Sequence, residues 1–313
     1  MSRAFVFPGQ GSQAVGMGKA LAEAFAVARA VYEEVDDALE QRLSKLMFEG
    51  PADELTLTEN AQPALMAASI AVLRVLQKEG GVDLGEAAGF VAGHSLGEYS
   101  ALAAARSIDL ADAARLLKTR GQAMQAAVPV GEGAMAALLG AELDLATEIA
   151  EAAAAGEVCT VANDNGAGQC VISGTSPAVD RAIALAEERG VKRAIRLQVS
   201  APFHCALMEP AADAMKAALS SAAIVPPLVP VVANVTAAPV SDPDTIRRLL
   251  VEQVTSMVRW RESVLAMREA GVDTIVELGS GKVLSGLARR IDRDLATLNA
   301  ETPADIEALL KAL

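Results

Sequence analysis

The chain has 313 residues, 52% of them hydrophobic and only 3% aromatic, with a mean hydropathy of +0.31; a sizeable aliphatic core is expected, in one large domain or a large domain plus a small one. A net charge of −13 and a pI of about 4.7 lack the basic footprint of a general nucleic-acid binder. Cys159, Cys170 and Cys205 form no CxxC pair, MSRAFVFPGQG lacks the apolar stretch of an export signal, and no run of about 18 apolar residues occurs, so the expectation is a chain of the reducing cytoplasm with no disulfide framework, metal site or membrane span.

The apolar run at residues 4–7 reads as a buried strand, stopped by the glycine-rich loop Pro-Gly-Gln-Gly-Ser-Gln. Residues 17–46 have helical spacing, and Asn60-Ala61-Gln62-Pro63 precedes an apolar helix at 64–76, with proline in its first turn. A second short strand, 89–92, runs into Gly93-His94-Ser95-Leu96-Gly97, and helices follow at 98–105 and 109–127. Strand and helix patterns in residues 133–199 then alternate as βαββαβ, with Gly166-Ala167-Gly168 as a hairpin connection, which suggests a ferredoxin-like unit. Beyond Ala201-Pro202-Phe203-His204 come a helix at 206–220, a valine-rich strand at 228–235, helices at 246–254 and 260–270, and a strand at 274–278. Strands alternating with helices outside the inserted unit argue for an α/β fold with a parallel sheet.

The strongest local chemical signal is the G-x-S-x-G pattern at 93–97. Between a strand and a helix it places Ser95 on a tight bend with its hydroxyl exposed, and the two glycines let the bend close. The helix N-terminus leaves the Leu96 N–H free to face an oxyanion. A serine needs a base at neutral pH, and the chain has two histidines. His94 adjoins the serine and is better placed to pack beside the elbow; His204 follows the inserted unit, where an α/β sheet presents site residues. Spacing does not single out the group that orients His204, which is a carboxylate or a backbone carbonyl. The loop at 9–13 lacks the Lys-Ser/Thr ending of a phosphate loop, and its N–H groups can complete an oxyanion hole. By spacing alone, Arg120 is a cation near a helix C-terminus, a common surface arrangement.

Six segments resemble one family: PGQGSQ near the start, Gln62-Pro63-Ala64, GHSLGEYSAL at 93–102, RGQAMQ at 120–125, APFHCALM at 201–208 and ELGSGKVL at 277–284. In order and over nearly the whole chain, they are similar to the malonyl-CoA:acyl carrier protein transacylases, acyltransferases of fatty-acid and polyketide synthesis. The resemblance implies a hydrolase-like α/β parallel-sheet core, residues 1–129 and 199–313, with an inserted ferredoxin-like subdomain, 130–198. It implies Ser95 as nucleophile, His204 as general base, the backbone N–H groups of Gln10 and Leu96 as oxyanion hole, Arg120 as partner of the malonyl carboxylate, and the Gln253 backbone carbonyl as the group that steadies His204. No metal or bound cofactor is implied; the partners are malonyl-CoA and an acyl carrier protein, with no nucleic acid and no membrane. Phe203 is placed to crowd a branched acyl chain. Ser280 departs from the family, which often has proline there. Because carriers of this kind are acidic, a local basic patch is needed for docking, with Lys192, Arg193, Arg196, Arg289 and Arg290 as candidates. Other readings are a trans-acting acyltransferase of a polyketide pathway, a serine thioesterase or esterase, and a non-catalytic carrier-binding subunit.

Overall fold

The computed structural model describes residues 2–313. Its strands are β1 (Ser2–Phe7), β2 (Phe90–Gly93), β3 (Gly133–Leu139), β4 (Cys159–Asp164), β5 (Gln169–Thr175), β6 (Arg193–Arg196), β7 (Val231–Ala233), β8 (Ala238–Val240), β9 (Val272–Leu278) and β10 (Ala296–Ala300). They form a six-stranded sheet in the order β10-β9-β1-β2-β7-β8 and a four-stranded sheet in the order β4-β5-β3-β6. The large sheet is parallel except for β8, which pairs antiparallel with β7 at one edge.

Helices cover both faces of the large sheet, and the period of two along β1 shows it. Phe5 and Phe7 enter the core shared with Leu65, Tyr99 and Leu117, while Ala4 and Val6 enter the opposite core with Trp260, Val264 and Leu287. All four side chains are fully buried. The small sheet is antiparallel throughout and bears the helices Leu143–Ala154 and Ser176–Glu188 on one face. This is the βαββαβ order expected from the sequence. Its turn Gly166-Ala167-Gly168 has positive φ at all three residues (78°, 50° and 69°), which glycine tolerates at two of them. The other face presents Met135, Val171, Leu197 and Phe203 toward the end of β2. β4 is stitched to the start of the helix Trp260–Glu269, which packs on the large sheet: Asp164 N donates to Val258 O at 3.0 Å and Val258 N to Ala162 O at 2.9 Å, and Arg261 pairs with the buried Asp164 at 2.8 Å.

Several elements differ from the periodicity. The helix expected at 64–76 is Thr58–Gly80, with Pro63 inside it and not in its first turn. Proline gives up the bond its own N–H would make and crowds the carbonyl four residues back. The earlier start is held by Asn60 Nδ2 donating to Glu54 O at 2.9 Å and Gln62 Nε2 to Thr58 Oγ1 at 3.1 Å. The stretch 17–46 divides at extended Phe25 and at left-handed Glu40 into Lys19–Ala24, Ala26–Leu39 and the start of Leu43–Glu49. The strand expected at 228–235 is only Val231–Ala233; its start is set by Pro230, which donates no ladder bond. Among the described residues no helix is long and apolar enough to cross a membrane.

Candidate active site

Ser95 occupies the bend between β2 and the helix Gly97–Ala104, with φ of 53°. The bend depends on close backbone approach. A Cβ on Gly93 would lie 1.9 Å from the Gly97 carbonyl carbon, and one on Gly97 would lie 2.2 Å from Phe7 O. Asn234, the residue after β7, clamps the turn: its Oδ1 accepts from Ser95 N at 2.7 Å and its Nδ2 donates to Gly93 O at 2.7 Å.

His204 Nε2 lies 2.8 Å from Ser95 Oγ, and its Nδ1 lies 2.9 Å from Gln253 O. A carbonyl only accepts, so the ring proton belongs on Nδ1, and Nε2 is left as the acceptor for the serine hydroxyl. His204 is buried. Burial first, and the Arg120 cation second, push its pKa down to about 3. It also has a positive φ of 59°, a strained backbone that its packing and two hydrogen bonds hold in place.

Arg120 is not a surface cation. It lies on the helix Leu110–Ala126 with 1% of its surface exposed. The reason is next door: a Cβ on Gly121 would come within 2.5 Å of Glu59 Cα, so the two helices approach closely there and enclose the arginine. Its Nη1 donates to Gln62 Oε1 at 2.8 Å, and its Nη2 donates to Gln253 Oε1 at 2.8 Å and to Ser95 Oγ at 3.1 Å. The guanidinium lies 5.8 Å from the centre of the Tyr99 ring. Among the described residues no carboxylate is within ion-pair distance of it. A buried cation held only by neutral acceptors is ready for an anion.

The Gln10 and Leu96 N–H groups donate to no protein acceptor among the described residues. Both residues line, with Ser95, His204 and Arg120, a cavity of about 360 Å³ whose far wall is Met135, Leu197, Val199 and Phe203 from the small-sheet side. Gln10 is held by Thr58 Oγ1, which donates to its Oε1 at 2.6 Å. Ser280 fastens the same loop, its Oγ lying 2.8 Å from Ser12 O and 3.0 Å from Glu301 Oε1. His94 packs beside the elbow, as its position suggested. Its Nε2 is 2.9 Å from Asn165 Oδ1 on the small-sheet side and its ring centre 5.7 Å from that of Trp260; burial lowers its pKa.

Sequence reasoning missed Asn234, Glu98, Asn165 and the side-chain part played by Gln253. Asn234 had a signal, lying just after a valine-rich strand of a parallel sheet. Glu98 had one too, as the lone acid in a helix of small and apolar residues. Of the basic candidates, Lys192, Arg193, Arg289 and Arg290 are exposed, whereas Arg196 is engaged by Asp180 and Ser176. Leu139 pairs with both Gln169 and Arg193 across the sheet, and Arg290 Nη2 lies 3.5 Å from Gln169 Oε1, so these cations share one end of the small sheet.

Residues 4–292 match the family model of the acyl transferase domain. The chain is 47% identical over 311 residues to the malonyl CoA-acyl carrier protein transacylase of Bacillus subtilis (strain 168), covering 99% of this chain and 96% of that one. It is 46% identical over 308 residues to the corresponding protein of Escherichia coli (strain K12), covering 98% of each. A crystal structure of acyl-carrier-protein-S-malonyltransferase from Bartonella henselae superposes with a TM-score of 0.97 at 57% identity, over 100% of this chain and 99% of that one. The malonyl-transacylase in a complex with a type II PKS acyl-carrier protein superposes with a TM-score of 0.96 at 42% identity, over 100% of both. With its hydrolase-like sheet, its inserted small sheet and its serine elbow, the chain belongs to the acyl transferase family, alongside the malonyl CoA-acyl carrier protein transacylases.

Proposed function

We propose that the chain transfers the malonyl group of malonyl-CoA to the phosphopantetheine thiol of an acyl carrier protein, through a malonyl-Ser95 ester, in fatty-acid synthesis. The observation that carries this reading is Arg120, a buried guanidinium without a carboxylate partner whose Nη2 reaches Ser95 Oγ at 3.1 Å. An acyl group ending in a carboxylate fits such a fork, whereas acetyl leaves it unmatched.

In this scheme His204 Nε2 takes the Ser95 proton as Oγ bonds to the thioester carbonyl carbon. The oxyanion is held by the Gln10 and Leu96 N–H groups. Collapse breaks the C–S bond, and the coenzyme A thiolate takes the proton back from His204. In the second half the carrier thiol gives its proton to His204 and attacks the ester, and Ser95 leaves with that proton. The Gln253 carbonyl keeps the imidazolium oriented in both halves. A free His204 with a pKa of about 3 is a weak base; the substrate carboxylate on Arg120 cancels one cause of that depression, so basicity rises as substrate binds. No step calls for a metal or bound cofactor.

The same reading divides the chain into a catalytic unit, 1–129 and 199–313, and a small unit, 130–198, that walls the acyl pocket, and it places the protein in the cytoplasm. The likeness to a malonyl-transacylase in complex with a type II PKS carrier supports a second reading, service to a polyketide carrier. Intact mass after incubation with malonyl-CoA and, separately, acetyl-CoA tests the central claim. One malonyl adduct is expected, absent in Ser95→Ala; an adduct on Ser95→Ala, or free malonate released as fast without carrier as malonyl passes to it, refutes transfer.

A further inference from the structure

The helix Gly97–Ala104 carries a carboxylate that this scheme leaves unused. Glu98 is 2% exposed, and burial of an ionisable group is costly unless hydrogen bonds replace water. Its Oε2 accepts from the Asn234 backbone N–H at 3.0 Å and from Gln253 Nε2 at 2.8 Å. Neither donor is a cation. Glu98 forms no ion pair with Arg120; the Gln253 amide stands between them, its Oε1 accepting from Arg120 Nη2 at 2.8 Å.

The two ends of a primary amide have nearly the same shape, so packing alone does not choose its orientation. Hydrogen bonding chooses it here. The nitrogen end faces Glu98 Oε2 and Ser95 O, the latter at 3.1 Å; the oxygen end faces the guanidinium. Asn234 Oδ1 lies 3.4 Å from Gln253 Nε2 but already accepts from Ser95 N at 2.7 Å. Rotated by half a turn, the amide would set its NH₂ against Arg120 and its oxygen against Glu98 and the Ser95 carbonyl, three unfavourable contacts in place of three bonds. A direct Glu98–Arg120 pair would be no substitute, since it would occupy the guanidinium that a substrate carboxylate needs.

We propose that Glu98 is a positioning residue for acyl selection: by accepting from Gln253 Nε2 it locks the amide with its oxygen toward Arg120, which holds the guanidinium at the acyl pocket without neutralising it. The proposal rests on Arg120 as the partner of the substrate carboxylate. Leaving one buried N–H of the Gln253 amide without its acceptor costs about five- to a hundredfold, which sets the size of the effect.

The test is kcat/KM for malonyl-CoA and for acetyl-CoA, with carrier, in Glu98→Ala, Glu98→Gln and Arg120→Ala. Glu98→Ala lowers the malonyl-to-acetyl ratio by about fivefold or more, whereas Glu98→Gln, which offers an amide oxygen at the same reach, keeps it within about threefold of the original. A merely structural role would lower both substrates together. An unchanged ratio in Glu98→Ala overturns the proposal. So does a folded Glu98→Gln that loses the ratio, a result available even where Glu98→Ala does not fold. If Arg120→Ala loses the ratio and Glu98→Ala keeps it, only the role of Glu98 fails; if Arg120→Ala also keeps it, the reading of Arg120 fails and the proposal with it.

Discussion

Under the proposed function, replacing Arg120 by alanine separates recognition of the acyl carboxylate from the acyl-transfer chemistry itself. The guanidinium is buried and, among the described residues, faces only Gln62, Gln253 and Ser95 as acceptors. A malonyl carboxylate in this pocket therefore depends on it for charge, and removing one member of a buried pair costs about 3–5 kcal/mol. At about 1.4 kcal/mol per factor of ten, kcat/KM for malonyl-CoA falls by two to nearly four powers of ten. Acetyl-CoA brings no carboxylate and loses only the Arg120–Ser95 bond, a fall of about tenfold, the lower end for a hydrogen bond to a charged group. Arg120→Lys keeps the charge but not the two-pronged geometry and lies between. A second readout is the acid limb of kcat/KM. In the proposed scheme neutral His204 is the active form, so activity falls as pH drops through its pKa. Arg120 is the second cause of the depression to about 3, so Arg120→Ala moves the acid limb of acetyl transfer upward. Initial rates with both thioesters over a pH series measure both effects. Equal losses for malonyl and acetyl, with an unmoved acid limb, refute the reasoning.

Other substitutions probe the scaffold, the docking surface and the buried acid. Gly97→Ala puts a Cβ 2.2 Å from Phe7 O and is expected to cost more than about 3 kcal/mol in urea unfolding. Gly286→Ala, mid-helix in Val283–Ile291 with only the Arg290 tip at 4.0 Å, should instead stabilise by about 0.4–1 kcal/mol. Charge reversal at exposed Lys192 and Arg193 raises KM for the carrier and leaves KM for malonyl-CoA unchanged; an unchanged carrier KM removes this end of the small sheet as the docking surface. Burial raises the Glu98 pKa to about 7, above its ordinary value. The folded state then holds that proton more tightly, so this stabilisation is full below the ordinary carboxylate range and is lost as pH rises through about 7. Relative to Glu98→Gln, the protein should gain stability on acidification by up to about 1.4 kcal/mol per pH unit between about pH 7 and pH 5; a constant difference between the two unfolding curves contradicts the shift.

Local chemistry made part of this protein legible without its structure. GHSLG announces its bend because only glycine fits within 1.9–2.2 Å of neighbouring backbone, and the motif states that constraint directly. The alternation of β1 and the βαββαβ rhythm of the small unit are likewise properties of short stretches, set by the period of two and the helical repeat. With only two histidines, His204 is also a short choice, and the fold brings it to 2.8 Å from Ser95 Oγ. What the chain order conceals is burial and partnership. Arg120 reads as a surface cation until Gly121 meets Glu59 and closes the helices over it. Pro63 reads as a helix start until Asn60 and Gln62 hold an earlier turn in place. Glu98 meets Asn234 across 136 positions, and Gln253 meets Ser95 across 158. No periodicity carries such pairs, because each exists only once the sheet has brought the ends of β2 and β7 side by side and the helix after the elbow has turned its acid inward. The bend at Ser95 is therefore announced by five adjacent residues, though Asn234 clamps it from across the sheet, whereas the charge environment around its hydroxyl is a property of the folded sheet alone.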